Sequence, residues 1–253
     1  MNASRIDSFR LPSTINVTDV VIQSAKILAK RPVLLLPTLV PSMFLTLWFV
    51  SISTRQFQVA DSVLIPIVVL GLFAAAVSYM LVGATYPILV RSTLTGAELP
   101  LTEAFRLAFR RFLTVFIASI LVIVVTISGF ILLVVPGIIF TLWYFYTIPS
   151  IMLDGKGAIG AMSASKAFGR ENKGKTFLIL LIAFAVSTII SSLGLAYYLV
   201  GIPTEFIVVL TLLAEAVVTA WACIIPSYAY LTYGPPSDNS SAIGNNLENN
   251  SNL

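Results

Sequence analysis

The chain has 253 residues, 58% hydrophobic and 10% charged, with 15 Lys and Arg against 11 Asp and Glu and no histidine. An ordinary soluble domain is about 25% charged, so too few charges remain to solvate a globular surface; the surplus apolar area needs lipid, and the class is a polytopic membrane protein. Without histidine, Ser-His-Asp and Cys-His catalysis and the common zinc sites are excluded, and the lone Cys223 excludes thiolate clusters and an intramolecular disulfide.

The first 31 residues carry Arg5, Asp7, Arg10, Asp19, Lys26, Lys30 and Arg31 with no continuous apolar core, so no cleaved leader is expected. Within them "TDVVIQSAKILAKR" reads as an amphipathic stretch ending on Lys30-Arg31. A helix needs about 20 residues to cross a hydrocarbon core of about 30 Å. Residues 33–53 fit a first span and 62–90 a long second one. A second amphipathic stretch follows, "LTEAFRLAFRRFL", with Phe105, Ala108, Phe109 and Phe112 on one face and Glu103, Arg106 and Arg110 on the other.

Phe112 to Leu153 is a 42-residue tract without a charge, about 63 Å if fully helical, which is two crossings. Proline lacks the amide hydrogen and glycine tolerates positive φ, so the Pro136-Gly137 step in "VVPGIIF" predicts a turn near Val134–Gly137, with Ser128-Gly129 as a bend or the alternative boundary. The spans become 112–134 and 137–153. Asp154–Gly157, "DGKG", is a turn into a third stretch, "AIGAMSASKAFGRENKGK", with Ile159, Met162, Lys166 and Phe168 at roughly helical spacing; it lacks the spacing of a phosphate loop. Residues 177–200 and 206–233 supply the last two spans, and the Asn-, Ser- and Pro-rich residues 234–253 read as a disordered tail.

The fold class is therefore all-α, a six-span membrane bundle. Segments 1–32, 91–111 and 154–176 hold 5, 4 and 5 basic residues, 14 of 15, so both termini are expected in the cytoplasm of a multi-pass cell-membrane protein. The same clustering at span ends is a topology signal and argues against nucleic-acid binding. Prolines 87, 149 and 226 each lie near the inner end of a returning span and should bend it. The organisation reads as three copies of one unit, an in-plane helix followed by a transmembrane hairpin, related by an axis along the membrane normal.

Two sets of candidate functional residues follow. The basic pairs Lys30 and Arg31, Arg110 and Arg111, and Lys173 and Lys175 are candidates for anionic lipid headgroups, each surface cation contributing about 1 kcal/mol, or else simply belong to interfacial packing. Glu215, ten residues past Glu205, sits about 15 Å deep; with Thr211 and Thr219 it forms a polar stripe expected to face the bundle interior, through either interhelical hydrogen bonds or an ion pathway. The inner carboxylates Glu98, Glu103, Asp154 and Glu171 occur singly and read as solvated loop residues; no metal, cofactor or catalytic set is expected.

"EAFRLAFRRFL", "VVPGIIF" and "IPSIMLDGKGAIGAMSASKAFGRENKGK" resemble the membrane domain associated with glycerophosphoryl diester phosphodiesterases and its stand-alone relatives. Pro136, Gly137, Ile138, Trp143, Pro149, Asp154, Gly155, Ala161, Ser165, Lys173 and Gly174 carry the likeness, over about residues 100–180. The resemblance implies a six-helix module near phospholipid metabolism or membrane homeostasis. The diesterase activity of fused members resides in a separate barrel that relies on histidines and does not transfer to this chain. Two functions stay open: a non-catalytic module organising anionic lipid or a membrane partner at its cytoplasmic face, and a small transporter or channel using Glu215.

Overall fold

The computed structural model describes residues 14–53, 61–97, 99–200 and 204–235, which are helical with no strand among them. The helices are α1 Val17–Lys30, α2 Leu36–Ser53 after a 3-10 turn at Pro32–Leu35, α3 Asp61–Thr95, α4 Leu101–Arg110, α5 Phe112–Leu132, α6 Val134–Tyr144, α7 Thr147–Asp154, α8 Ala158–Glu171, α9 Lys173–Val200 and α10 Thr204–Tyr233. The expected tail, the charged loop between the first two spans and Glu98 lie outside the described residues, apart from Gly234 and Pro235.

Among the described residues five stretches are long and apolar enough to cross a membrane: Ile65–Thr95, Phe112–Leu132, Val134–Asp154, Lys173–Ser192 and Leu210–Tyr233. A sixth is reached when Val17–Lys30 and Pro32–Phe44, bent by 103° at their junction, are counted as one. The architecture is an all-α polytopic bundle. Its hairpins α2–α3, α5–α6 and α9–α10 pack internally, and α10 closes the assembly by packing against α1, α2, α3 and α7.

The middle hairpin turns one residue earlier than the Pro-Gly step predicts. Leu133 alone is extended, φ −166° and ψ 154°, and α6 begins at Val134. Pro136 occupies the third helical position, where its missing N–H is one that a helix start leaves unbonded anyway, so it costs no hydrogen bond. The first amide to bond back is Gly137, to the Leu133 carbonyl at 3.3 Å. Gly137 instead serves packing. A methyl group on Gly129 would stand 3.0 Å from the Gly137 Cα, and Phe130 covers Gly137 as Phe140 covers Gly129. Ser128 makes no bend; its hydroxyl donates to the Val124 carbonyl of the same helix at 2.7 Å.

The expected fourth span, 137–153, is two helices. The break falls at Phe145-Tyr146, upstream of Pro149, which takes the third position of α7 and so leaves no gap inside a helix. Ser165 of α8 enters the break, donating to the Trp143 carbonyl at 2.8 Å and accepting from the Tyr146 amide at 3.1 Å. Thr147 donates to the Tyr144 carbonyl at 2.8 Å. Gly169, one turn along α8, lets the backbones meet: a Cβ there would stand 2.6 Å from the Leu142 carbonyl oxygen. The face of α8 that packs is therefore Ala161, Ser165, Phe168 and Gly169; of the expected set Phe168 is buried, whereas Ile159 is 78% exposed. On α4 the buried residues are Ala104 and Ala108, while Phe109 points outward.

Three junctions share one design. Single residues Arg31, Arg111 and Asn172 end α1, α4 and α8, and each amide bonds back into the helix it closes. The returning helices α3 and α7 both end at a glycine with φ +70°, Gly96 and Gly155, a conformation that a side chain disfavours. Gly234 follows α10 in the same place and donates to the Tyr230 carbonyl at 3.0 Å. The largest buried side chains, Tyr86 and Tyr146 among them, belong to a core that also includes Val20, Ile27, Leu89, Phe168 and Tyr230, near the ends that carry the basic clusters. Around the Leu133 turn, by contrast, Ile131, Leu132, Val134 and Val135 are all exposed, as a lipid-facing surface requires.

Candidate functional site

The basic end of the bundle gathers the three predicted pairs, each with one exposed member and one half-buried member. Lys30 is exposed, while Arg31 donates to the hydroxyls of Ser92 at 3.5 Å and Thr93 at 3.3 Å, tying the α1 junction to the end of α3. Arg110 is exposed. Arg111 is half-buried, its guanidinium so near Gly155 that a Cβ there would come within 3.1 Å of it. Lys173 is exposed; Lys175 lines an open hollow of about 560 Å³ with Thr14, Asn16, Thr18 and Tyr233.

Two further cations lie on an aromatic ring. Lys166 Nζ stands 4.8 Å from the centre of the Trp143 ring and Arg170 5.9 Å, one helical turn apart on α8. Neither makes an ion pair with a described residue. A cation over an indole face gains about 0.5 to 2 kcal/mol, depending on desolvation, and the contact restricts two flexible side chains to the rim of the bundle. The sequence reading missed this trio because Trp143 lies on α6, and only the packing of α6 on α8 sets it beside Lys166.

The carboxylates expected to be solvated divide. Glu103 is partly exposed and pairs with Arg106 at 3.5 Å, as a surface residue does, and Glu171 is exposed. Asp154 is only 4% exposed. Its Oδ2 accepts from Tyr230 at 2.6 Å, Lys156 at 2.9 Å and Ser150 at 3.4 Å. Burying a carboxylate is costly unless several donors meet it, and here they come from α7, the turn after it and α10. Asp19 of α1 is met likewise by Tyr228 at 3.1 Å and Tyr233 at 3.0 Å. The tyrosines of "SYAYLTY" thus fasten α10 to α1 on one side and to α7 on the other. Asn172 adds a third tie, accepting from the Ile15 amide at 3.2 Å.

The expectation that Glu215 faces the bundle interior is overturned: Glu215 is exposed, while Ala216 and Ala220 turn inward. Thr211 and Thr219 are half-buried. The spacing of four places the three on one side of a helix, but periodicity alone does not say which side its neighbours cover, and α2 and α9 cover others. Comparison with family models, with curated proteins and with solved structures gives no match.

Proposed function

We propose that the chain is a non-catalytic integral membrane module that gathers anionic phospholipid at its basic end, and that this end faces the cytoplasm. The observation that carries the reading is the Trp143, Lys166 and Arg170 group. Tryptophan favours the headgroup level of a bilayer, so two cations held on its ring stand where lipid phosphates lie. The exposed Lys30, Arg110 and Lys173 extend the same positive rim, and the location of 14 of the 15 basic residues on three segments supports the orientation. Headgroup attraction of about 1 kcal/mol per cation then accumulates over the rim. The transporter reading rested on an interior Glu215, and its outward position gives that reading no support.

Native mass spectrometry with lipids retained tests the proposal, alongside flotation with vesicles of phosphatidylglycerol or of phosphatidylcholine. The wild-type chain should retain the anionic lipid selectively. The pairs Lys166→Gln with Arg170→Gln, and Arg110→Gln with Arg111→Gln, should each lower that retention several-fold. Equal retention of the two lipids, or retention unchanged in both double variants, would overturn it.

A further inference from the structure

Glu215 is an exposed carboxyl partway along a membrane-spanning helix. It lies 11 residues into α10, about 16 Å from that end of the helix. Its neighbours one turn away on the same side of α10, Thr211 and Thr219, are half-buried. It makes no hydrogen bond or ion pair with a described residue. A carboxyl that meets only hydrocarbon is costly in any state, so an exposed one calls for a partner that the described residues do not supply.

The adjoining helix exposes polar groups at the same depth. On α9, packed against α10, Thr188, Ser191 and Ser192 are exposed. They lie 8 to 12 residues from Val200, the end that joins α10, which is about 12 to 18 Å. Thr188 donates to the Phe184 carbonyl at 2.8 Å and Ser192 to the Ile189 carbonyl at 2.8 Å. Their oxygens keep free lone pairs, and rotation would turn either hydroxyl outward as a donor. A hydroxyl is both donor and acceptor, so it matches a carboxyl whether or not the carboxyl carries its proton.

We propose that the exposed face of the α9–α10 hairpin is the contact between two copies of this chain, with Glu215 of each copy hydrogen-bonded to the α9 hydroxyls of the other. The charge distribution inserts every copy in one orientation. A two-fold axis between copies must then lie along the membrane normal, which sets equal depths against each other. A carboxyl on α10 and hydroxyls on α9 at one depth are self-complementary under that operation, so each contact is made twice. A partner of another kind would have to bring its own polar group to this depth; a second copy already carries it.

The test uses the full chain in liposomes. Association is read by single-molecule photobleaching at falling protein-to-lipid ratio, and by cross-linking of Ser192→Cys in a Cys223→Ser background. Wild type should dimerise, and Ser192→Cys should cross-link between copies far more than Ile127→Cys, an exposed position on α5. Glu215→Leu should weaken association roughly ten-fold, as the loss of two interhelical hydrogen bonds implies. Glu215→Gln, which keeps a donor and an acceptor, should associate nearly as wild type. If Glu215→Leu fails to fold, the cross-linking comparison decides. A monomeric wild type, undiminished association in a folded Glu215→Leu, or cross-linking no stronger at Ser192→Cys than at Ile127→Cys would overturn the proposal.

Discussion

Ser165 replaces two backbone partners that the break between α6 and α7 removes, and one residue thereby makes an interrupted span tolerable in a membrane. With water absent, the Trp143 carbonyl and the Tyr146 amide have no other recourse. Ser165→Ala should cost about 1 to 3 kcal/mol for each group left unpaired, read as a lower unfolding midpoint in detergent; an unchanged midpoint would show that the interruption needs no such partner. Tyr230→Phe leaves the buried Asp154 short of its closest donor and should cost about 1.5 to 3 kcal/mol. Combining it with Asp154→Asn should be clearly less than additive, which a double-mutant cycle reads directly. Glycines of α8 separate just as sharply. Gly169→Ala drives a methyl into the Leu142 carbonyl and should destabilise, whereas Gly160→Ala meets only Lys156 Cβ at 3.9 Å and should gain up to about 1 kcal/mol of helix propensity. Nothing in local spacing separates these residues from their neighbours; their roles come from α6 lying against α8.

At the scale of elements, the middle hairpin shows how a correct expectation can rest on the wrong residue. A turn in the 42-residue tract had to exist on length alone. Pro136-Gly137 was the natural candidate, yet Leu133 makes the turn and Pro136 simply starts the next helix. Pro136→Ala should therefore change stability by less than about 1 kcal/mol, while Gly137→Val, which forces a branched side chain into the Phe130 ring, should cost several times more. Thermal unfolding of the two variants in one detergent separates a turn role from a packing role; a larger loss at Pro136 would restore the turn reading. Glycines 96, 155 and 234, each at the end of a returning helix, were visible in the sequence as "TGAEL", "DGKG" and "YGPP". Aligned on these ends they support the three-unit organisation better than the prolines do, because Pro149 starts a helix while Pro87 and Pro226 lie inside theirs.

Among the described residues the buried core lies toward the basic end, while the residues around Leu133 at the far end of the middle hairpin are exposed. Buried Tyr86 donates to the Leu34 carbonyl at 2.8 Å, tying α3 to the 3-10 turn before α2, and Thr38 of α2 donates to the Ala216 carbonyl of α10 at 3.1 Å, both within apolar surroundings. The orientation proposed from charge makes a direct forecast. In a Cys223→Ser background, Gly157→Cys, at an exposed site with open space around it, should react with a membrane-impermeant maleimide only when the cytoplasmic face is opened to the reagent. Labelling of intact cells would reverse the orientation.

Composition and hydropathy by themselves determined the solvent, the helical class and the division into membrane hairpins, because a chain with 10% charged residues has few ways to satisfy its backbone in lipid other than as helices. Charge position set the expected sidedness for a similar reason, since loop cations act one by one. What only the tertiary structure decided is which face of each helix meets a neighbour. In water an apolar stripe marks the buried side, but in lipid both sides of a span are apolar and the stripe is lost. That is why the outward direction of Glu215, the burial of Asp154 beneath Tyr230 and the seating of Lys166 and Arg170 on Trp143 could not be read from periodicity.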